Sequence, residues 1–284
     1  MLRNAAIRET TGFPIVLKSC VLASPWNFIL FVFFLGGCVS IDSEYNTGTH
    51  SQDTLLVSTD GVVNMGKGLE KEIAKQAEVS QNPADIARIN KIGKKIADVC
   101  DRQEVSYYFD VITVKKSEED KNAFCIPGGH VYVFKALFDN LNDDELAFVL
   151  AHEIGHIVCR HHIKQMQAQY GANFLMLASI FAPHDDPDFV PAVAFALDSL
   201  MVSYSREDEL KADELAVKYM KLTGFNPQAG ISVMEKLYQD GKKRIEPFSY
   251  FRTHPYTGCR VAHIKQLLNI PLGPADYVNL QESK

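Results

Sequence analysis

The chain has 284 residues, of which 46% are hydrophobic and 23% are charged, the balance of a globular protein with enough chain for one large domain or two small ones. Its formal net charge is −6, and no block of like charges occurs. A mildly acidic chain without a basic stripe argues against nucleic-acid binding, so we expect no nucleic acid among its partners.

Residues 1–37 have the order of features of a secretory signal. Arg3, Arg8 and Lys18 precede the apolar run NFILFVFFL, which ends at Leu35 and is followed by small residues. A basic start, a short apolar middle and small residues before the cleavage point are typical of such a signal. The run is short for a membrane span, which needs about 20 apolar residues. We therefore predict a cleaved signal peptide, with an uncleaved membrane anchor or a mitochondrial presequence as the alternatives.

The string LGGC, which ends at Cys38, resembles the lipobox of bacterial lipoproteins. The resemblance implies that Cys38 carries lipid and begins the mature chain. Val39 follows it, which by the same analogy favours the periplasmic side of the outer membrane; anchoring in the inner membrane is the alternative. The next twenty or so residues are rich in Ser, Thr, Asp and Gly, so residues 38–62 are predicted to be a tether.

Four cysteines follow the lipobox, namely Cys100, Cys125, Cys159 and Cys259. They could form disulfides in an oxidising compartment. No pair is spaced as C-x-x-C, and the sequence favours no particular pairing.

The remaining pattern predicts an α+β fold, mainly α with a small β-sheet. Residues 82–100 form an amphipathic helix that starts at Asn82–Pro83, and residues 106–114 alternate as a strand. Residues 122–134 read as a hairpin around Pro-Gly-Gly, and helical patterns then continue to about residue 269. The domain is expected over residues 63–270, followed by an irregular tail over residues 271–284.

A helix with unusual polar content is predicted over residues 142–162. Asn142 and Glu145 suit a capping box at its start. Residues 146–158 are apolar nearly all round, which indicates a buried helix. Gly155 inside that helix costs about 1 kcal/mol relative to alanine, so we expect another backbone to cross there.

This helix carries the pattern His-Glu-x-x-His. At about 100° per residue, His152, Glu153 and His156 share one side, whereas His161 and His162 point elsewhere and are expected where the helix leaves the core. Two histidines one turn apart can bind one Zn²⁺, with the glutamate between them as general base. The pattern therefore predicts a zinc hydrolase.

The third ligand is expected from the helix over residues 204–221. Ser205 and Asp208 suit a capping box, which starts this helix near residue 206. Glu209 and Asp213 lie one turn apart on its apolar stripe, where acidic side chains are rare without a partner. A catalytic zinc needs three protein ligands, which favours Glu209 as the third. Asp213 is expected to orient a ligating histidine or to serve in proton transfer.

Four motifs in order resemble one family. They are NAFCIPGGHVYV (122–133), HEIGH (152–156), SREDELKAD (205–213) and THPYTGCR (253–260). This set is similar to the zinc metallopeptidases that include HtpX, the CAAX prenyl endopeptidases, the OMA-type mitochondrial protease, BepA and LoiP. The resemblance covers roughly residues 65–270 and is greatest to the short periplasmic lipoprotein branch, which is LoiP-like.

The resemblance implies a gluzincin-like fold with a helical core and a short antiparallel sheet. It also implies one Zn²⁺ per chain, held by His152, His156 and Glu209, with Glu153 as base and Asp213 as supporting acid.

Three weaker positions gain roles from the same resemblance. Asn122 and Ala123 would lie on an edge strand to which a substrate peptide adds as a further strand, although an ordinary hairpin strand explains them too. His254 would face the metal, either as an extra ligand or as a donor to the oxyanion; by itself it reads as the cap of a helix that starts at Pro255.

Residues 172–202 are largely apolar but too short in each half to cross a bilayer. They read as a buried helical hairpin over the zinc helix or as a lid that gates the cleft.

The expected function is a zinc endopeptidase of the bacterial envelope with polypeptide substrates, most of them misfolded or misassembled envelope proteins. The alternative is a zinc-stabilised, chaperone-like binding module without proteolysis. The complete Glu and His set of HEIGH argues against the alternative, because a purely structural zinc site needs no base.

Overall fold

The computed structural model describes residues 42–114, 120–170, 203–242, 249–255 and 257–281. The predictions for residues 1–37, Cys38 and residues 172–202 lie outside these ranges. Within them, no helix combines the length and the apolar character that crossing a membrane requires.

The secondary structure alternates short strands with longer helices. The strands are β1 (Asp42–Asn46), β2 (Ser51–Leu55), β3 (Ala77–Val79), β4 (Tyr108–Val114), β5 (Ala123–Ile126) and β6 (His130–Phe134). The helices are α1 (Thr59–Gln76), α2 (Pro83–Ala97), α3 (Lys135–Phe138), α4 (Asp143–Cys159), α5 (His161–Tyr170), α6 (Arg206–Thr223), α7 (Ala229–Gly241), α8 (Ser249–Thr253), α9 (Thr257–Leu267) and α10 (Pro274–Gln281). The α+β fold class is confirmed.

One sheet has the strand order β3-β4-β6-β5. The β3–β4 and β5–β6 pairs are antiparallel, as expected of a short antiparallel sheet, whereas the central pair β4–β6 is parallel. The reason is that β6 inserts between β4 and its own hairpin partner β5. The Pro-Gly-Gly turn permits this, since Gly129 has φ +98° and a Cβ there would lie 2.1 Å from the Ser106 carbonyl oxygen.

The sheet separates two apolar clusters. Val131 and Val133 of β6 face a core built with α2, α4, α6 and α7, while Tyr132 and Phe134 face a smaller core built with α1, β2 and α5. This is the two-residue alternation of a strand buried on both faces. Helix α4 lies in the larger core and is buried from residue 145 to residue 159.

Helices α4 and α6 cross in close contact. A Cβ on Gly155 would lie 3.0 Å from the Ala212 carbonyl oxygen and 3.1 Å from the Ala212 Cα. The expectation that a second backbone crosses at Gly155 is confirmed. The predicted capping boxes are present as well, at Asn142 and at Ser205, so both helices begin where the sequence placed them.

The segment expected as a tether is folded in its described part. β1 and β2 form an antiparallel hairpin, and α1 begins at Thr59. Leu55 is buried in the smaller core, and the buried Asn46 donates to the Cys159 carbonyl oxygen at 3.0 Å. The polar composition was misleading because two of its polar side chains, Asn46 and Asp53, are buried.

The tail differs from its prediction too. Residues 274–281 form α10, which starts at Pro274 and packs on α9. Proline is favourable in the first turn of a helix, so Pro274 starts a helix there rather than breaking one.

The four cysteines are free and buried thiols, so the possibility of disulfides is not realised among them. Burial raises the pKa of Cys159 to about 12 and that of Cys125 well above its ordinary value, which keeps both protonated.

Candidate active site

The crossing of α4 and α6 brings the predicted polar residues together. His152, Glu153 and His156 come from α4, Glu209 and Asp213 come from α6, and all five are fully buried. Polar side chains this deep are costly unless they pair with one another or with a bound group.

The three expected ligands converge on one point. The Nε2 atoms of His152 and His156 lie 3.0 Å apart. The Glu209 carboxylate lies 3.5 Å from Nε2 of His152 and 3.3 Å from Nε2 of His156. Together with His254, these residues each offer one ligand atom, and the atoms lie within 4.8 Å of one another, as a metal site requires.

The donor set fits a zinc ion. The Nδ1 atom of His152 lies 2.9 Å from Oδ1 of Asp213, so Asp213 accepts the Nδ1 proton and directs Nε2 toward His156 and Glu209, where the neutral ring would offer its lone pair to a metal. Both oxygens of Glu153 are buried and make no well-aligned hydrogen bond, although Oε1 lies 3.3 Å from Nε2 of His254. Two imidazoles, one carboxylate and a second acid beside them form the arrangement of a catalytic zinc site rather than a closed structural one.

Arg260 completes the charge balance, although sequence reasoning gave it no role. Its Nε and Nη2 atoms donate to the two oxygens of Asp213, each at 2.7 Å, and its Nη1 atom lies 2.5 Å from Oε2 of Glu209. The Arg260 side chain is 1% exposed. The signal was present, because Arg260 is the last residue of the THPYTGCR motif.

The charges around the site fix which groups are ionised. Burial by itself would raise the pKa of Glu209 and of Asp213, but the positive charge of Arg260 outweighs this effect. The Glu209 pKa is held well below its usual range, and the Asp213 pKa is held below its usual range. Burial and Arg260 lower the pKa of His152, but Asp213 and Glu209 prevail and raise it to about 9. Burial holds the pKa of His156 well below its usual range. In the metal-free site His152 is therefore the protonated imidazole.

His254 lies in the same cluster, at the end of α8. Its Nδ1 atom lies 3.0 Å from Oε1 of Glu209, and its Nε2 atom lies 3.3 Å from Oε1 of Glu153. The ring stacks on Tyr250, with centroids 4.7 Å apart. The side chain is buried at the site, so it does not act as a simple surface cap of the next helix.

His161 and His162 do not mark the exit from the core, as expected; they are 2% and 1% exposed. The helical projection fails because α4 ends at Cys159 and Arg160 adopts a left-handed conformation with φ 58°. The turn at Arg160 directs His161 toward α4, so that its Nδ1 atom lies 2.9 Å from Nδ1 of His156.

The model of Peptidase family M48 matches residues 83–268, which include the whole cluster. The chain belongs to peptidase family M48. The prediction of a metallopeptidase is thereby confirmed at the level of the family, and polypeptides are the substrates that the family acts on.

Several curated M48 relatives are similar to this chain. The Beta-barrel assembly-enhancing protease of Escherichia coli is 26% identical over 81% of this chain and 48% of its own length. Metalloprotease LoiP of Escherichia coli is 25% identical over 83% of this chain and 92% of its own length. Mitochondrial metalloendopeptidase OMA1 of Arabidopsis thaliana is 31% identical over 47% of this chain and 27% of its own length. The chain thus spans about half the length of the first of these relatives.

The NAFCIPGGHVYV motif of this M48 chain places β5 beside α4. Strand β5 is an edge of the sheet, and Asn122 and Ala123 at its start are fully buried. Oδ1 of Asn122 accepts the Ala123 amide at 2.9 Å, while Nδ2 of Asn122 is buried without a partner. Strand β5 packs against α4, the helix that carries Glu153, and the Glu153 charge adds to burial in raising the Cys125 pKa. The edge position agrees with the prediction, and the role in binding substrate stays a prediction.

Proposed function

We propose that this M48 chain is a zinc-dependent endopeptidase that uses Glu153 as general base. The observation that carries the proposal is the convergence of His152, His156 and Glu209 next to a fully buried Glu153 whose oxygens make no well-aligned hydrogen bond. The three ligand residues would hold the ion, and Glu153 stands beside them free to accept a proton.

A bound zinc ion would supply Lewis acidity toward the substrate carbonyl and toward water. Glu153 would take a proton from the attacking water on a carboxylate oxygen and deliver it to the leaving amine. His254, with Nε2 3.3 Å from Glu153, is placed to donate to the oxyanion or to act as a further ligand.

Asp213 and Arg260 would hold the ligands in place. Asp213 accepts from Nδ1 of His152, which directs Nε2 of that ring toward the ion. Arg260 neutralises the two buried acids, and its paired donors fix the rotamer of Asp213. The substrate would extend along the edge strand that begins at Ala123, and strand addition of this kind requires an extended chain.

We further propose that the enzyme works in the bacterial envelope on misfolded or misassembled proteins. The support is the lipobox-like LGGC at Cys38 and the similarity to LoiP and to the Beta-barrel assembly-enhancing protease, whose name refers to assembly of β-barrels. Lipid anchoring on the periplasmic side of the outer membrane is the proposed location, with inner-membrane anchoring as the alternative.

The deciding experiment compares casein digestion by the purified chain and by Glu153→Gln, each with bound zinc measured. We expect the variant to retain zinc and to lose cleavage, because the ligands remain while the base is gone. Glu207→Gln, which changes an exposed acid at the start of α6, is the matched control and should cleave normally.

Unchanged cleavage by Glu153→Gln would defeat the mechanism. If the wild-type chain binds zinc and suppresses aggregation of a client protein but cleaves nothing with or without a chelator, the binding-module alternative is correct instead.

A further inference from the structure

The residues that follow α4 return toward the candidate zinc site. Arg160 ends α4 in the left-handed conformation, and α5 starts at the very next residue, His161. The His161 ring therefore packs against the His156 ring, with centroids 5.0 Å apart and planes at 73°, and the two Nδ1 atoms are 2.9 Å apart.

The N-terminal hairpin holds this turn in place. Nη2 of Arg160 lies 2.5 Å from Oε2 of Glu44, and Nη1 lies 3.5 Å from Oδ2 of Asp53. Asn46 donates to the Cys159 carbonyl oxygen, which is one of the free carbonyls at the end of α4. A strained non-glycine conformation persists only where its surroundings fix it, and these contacts do so.

The second ring nitrogen of His161 lies close to α6, the helix that carries Glu209. Nε2 of His161 lies 3.2 Å from Oδ1 of Asp208. The same carboxylate caps α6, since its Oδ2 atom lies 3.4 Å from the Ser205 amide, so its rotamer is fixed by the helix start. His161 thus has a polar neighbour at each ring nitrogen, His156 on the ligand-bearing helix α4 and Asp208 on the ligand-bearing helix α6.

The contacts from His156 to His161 and from His161 to Asp208 determine which ring nitrogen carries each proton. Nε2 of His156 faces Glu209 and His152, so a neutral His156 that uses Nε2 as a ligand carries its proton on Nδ1. That proton is donated to Nδ1 of His161. His161 must then carry its own proton on Nε2, which lies 3.2 Å from the Asp208 carboxylate.

We propose that His161 and Asp208 are positioning residues for the metal ligand His156, an inference that rests on the proposed zinc site. They fix the tautomer and the in-plane orientation of His156, as Asp213 does for His152. Tyr204 restrains the same ring from its face, at a centroid distance of 3.9 Å and an angle of 21°. The Nδ1 bond to His161 is therefore the restraint that sets rotation within the ring plane.

The test uses the full chain with three substitutions at position 161. His161→Phe keeps a planar ring but removes the acceptor, His161→Asn restores an acceptor at the place of Nδ1, and His161→Gln offers one only at the place of Nε2. The readouts are the zinc affinity from competition with a chromogenic chelator, the visible absorption of the Co²⁺-loaded chain and the thermal unfolding of the chelated chain. His162→Phe is the matched control, because His162 is equally buried and neither of its nitrogens has a hydrogen-bond partner.

We expect His161→Phe to weaken zinc binding by about 10- to 100-fold and to shift the Co²⁺ bands. His161→Asn should recover most of both, and His161→Gln should not. Asp208→Asn should weaken zinc binding in the same direction while His162→Phe changes thermal unfolding only. If His161→Phe fails to fold, the contrast between the Asn and Gln variants decides.

Wild-type affinity in His161→Phe, or equal losses in the Asn and Gln variants, would overturn the inference. A wild-type chain that binds no zinc would instead overturn the proposed function, so the two failures are distinguishable.

Discussion

Arg260 is the cation on which two buried acids depend, and removing it should destabilise the protein strongly. Breaking a buried ion pair by removing one partner costs about 3–5 kcal/mol, because the remaining charge stays buried without compensation. We expect Arg260→Met to lower the free energy of unfolding by an amount of this order. The measurement is urea unfolding of the chain after a chelator has removed the metal. Arg260→Lys should recover little of it, since an ammonium cannot donate in parallel to both oxygens of Asp213.

The control for this measurement is Lys75→Met. Lys75 pairs with Glu72 one turn away, and the Lys75 side chain is 58% exposed. An exposed pair contributes no more than about 1 kcal/mol. Equal losses in the two variants would mean that Arg260 does not compensate the buried acids.

The buried histidines predict how stability depends on pH without metal. The pKa of His152 rises from 6.5 to about 9 on folding, so its contribution is complete below pH 6.5 and is lost as the pH rises through about 9. Burial lowers the pKa of His162 to about 3, so its neutral form favours folding above pH 6.5 and this advantage is lost as the pH falls toward 3. The chelated chain should therefore be most stable near pH 6.5.

Urea unfolding of the chelated chain across this range checks the sign of each limb. Asp213→Asn removes a carboxylate that raises the His152 pKa, so the fall in stability above pH 6.5 should flatten in that variant. Stability that rises from pH 6.5 to about 9 in the wild-type chain would contradict the assignment of His152 as the protonated ring.

At the scale of the element, Gly155 controls how closely α4 and α6 approach. Helix propensity alone would make Gly155→Ala stabilising by about 1 kcal/mol. The added methyl group would instead meet the Ala212 backbone at 3.0 Å, and overpacking costs about 1–3 kcal/mol. We expect a lower unfolding temperature and weaker zinc binding, because the ligands on the two helices are pushed apart.

Because the added methyl group would meet backbone atoms of Ala212, shortening the Ala212 side chain provides a control. Adding Ala212→Gly to Gly155→Ala should not restore zinc affinity, since the nearest atoms, O and Cα, remain. A Gly155→Ala chain with a raised unfolding temperature and unchanged zinc affinity would show that the helices can separate without cost.

Local signals predicted the elements that carry the site. The capping residues Asn142 and Ser205 and the helical periodicity place His152 and Glu209 in the core, because each depends on residues within a few turns. His161 was misplaced because arginine is not the residue that normally marks a left-handed helix end.

The hairpin β1–β2 was missed for a different reason. Its buried polar residues pair with residues more than 100 positions away, such as Asn46 with Cys159 at a separation of 113. Composition carries no information about such a partner, so the sequence predicts a tether for a polar segment whose cationic partners are distant in the chain. These partners are Arg160 at the end of α4 and Lys164 of α5, whose Nζ lies 2.7 Å from Oδ1 of the buried Asp53.

At the scale of the whole molecule, the folded hairpin shortens any linker to a lipid anchor. β1 begins at Asp42, so residues 39–41 alone separate Cys38 from the first strand. A chain of that length spans roughly 10 Å at most. A lipid on Cys38 would therefore hold the first strand of the peptidase domain close to the bilayer surface.

The lipid anchor can be tested by labelling the expressed full-length chain with radioactive palmitate and separating membranes by flotation. We expect the wild-type chain to take up label, to float with membranes and to begin at residue 38, whereas Cys38→Ala takes up none. Cys20→Ala is the control, since Cys20 lies in the segment that cleavage would remove, and it should behave as the wild type. An unlabelled chain of full length in the membrane fraction would instead establish the uncleaved anchor, because a retained apolar run needs no lipid to hold the protein there.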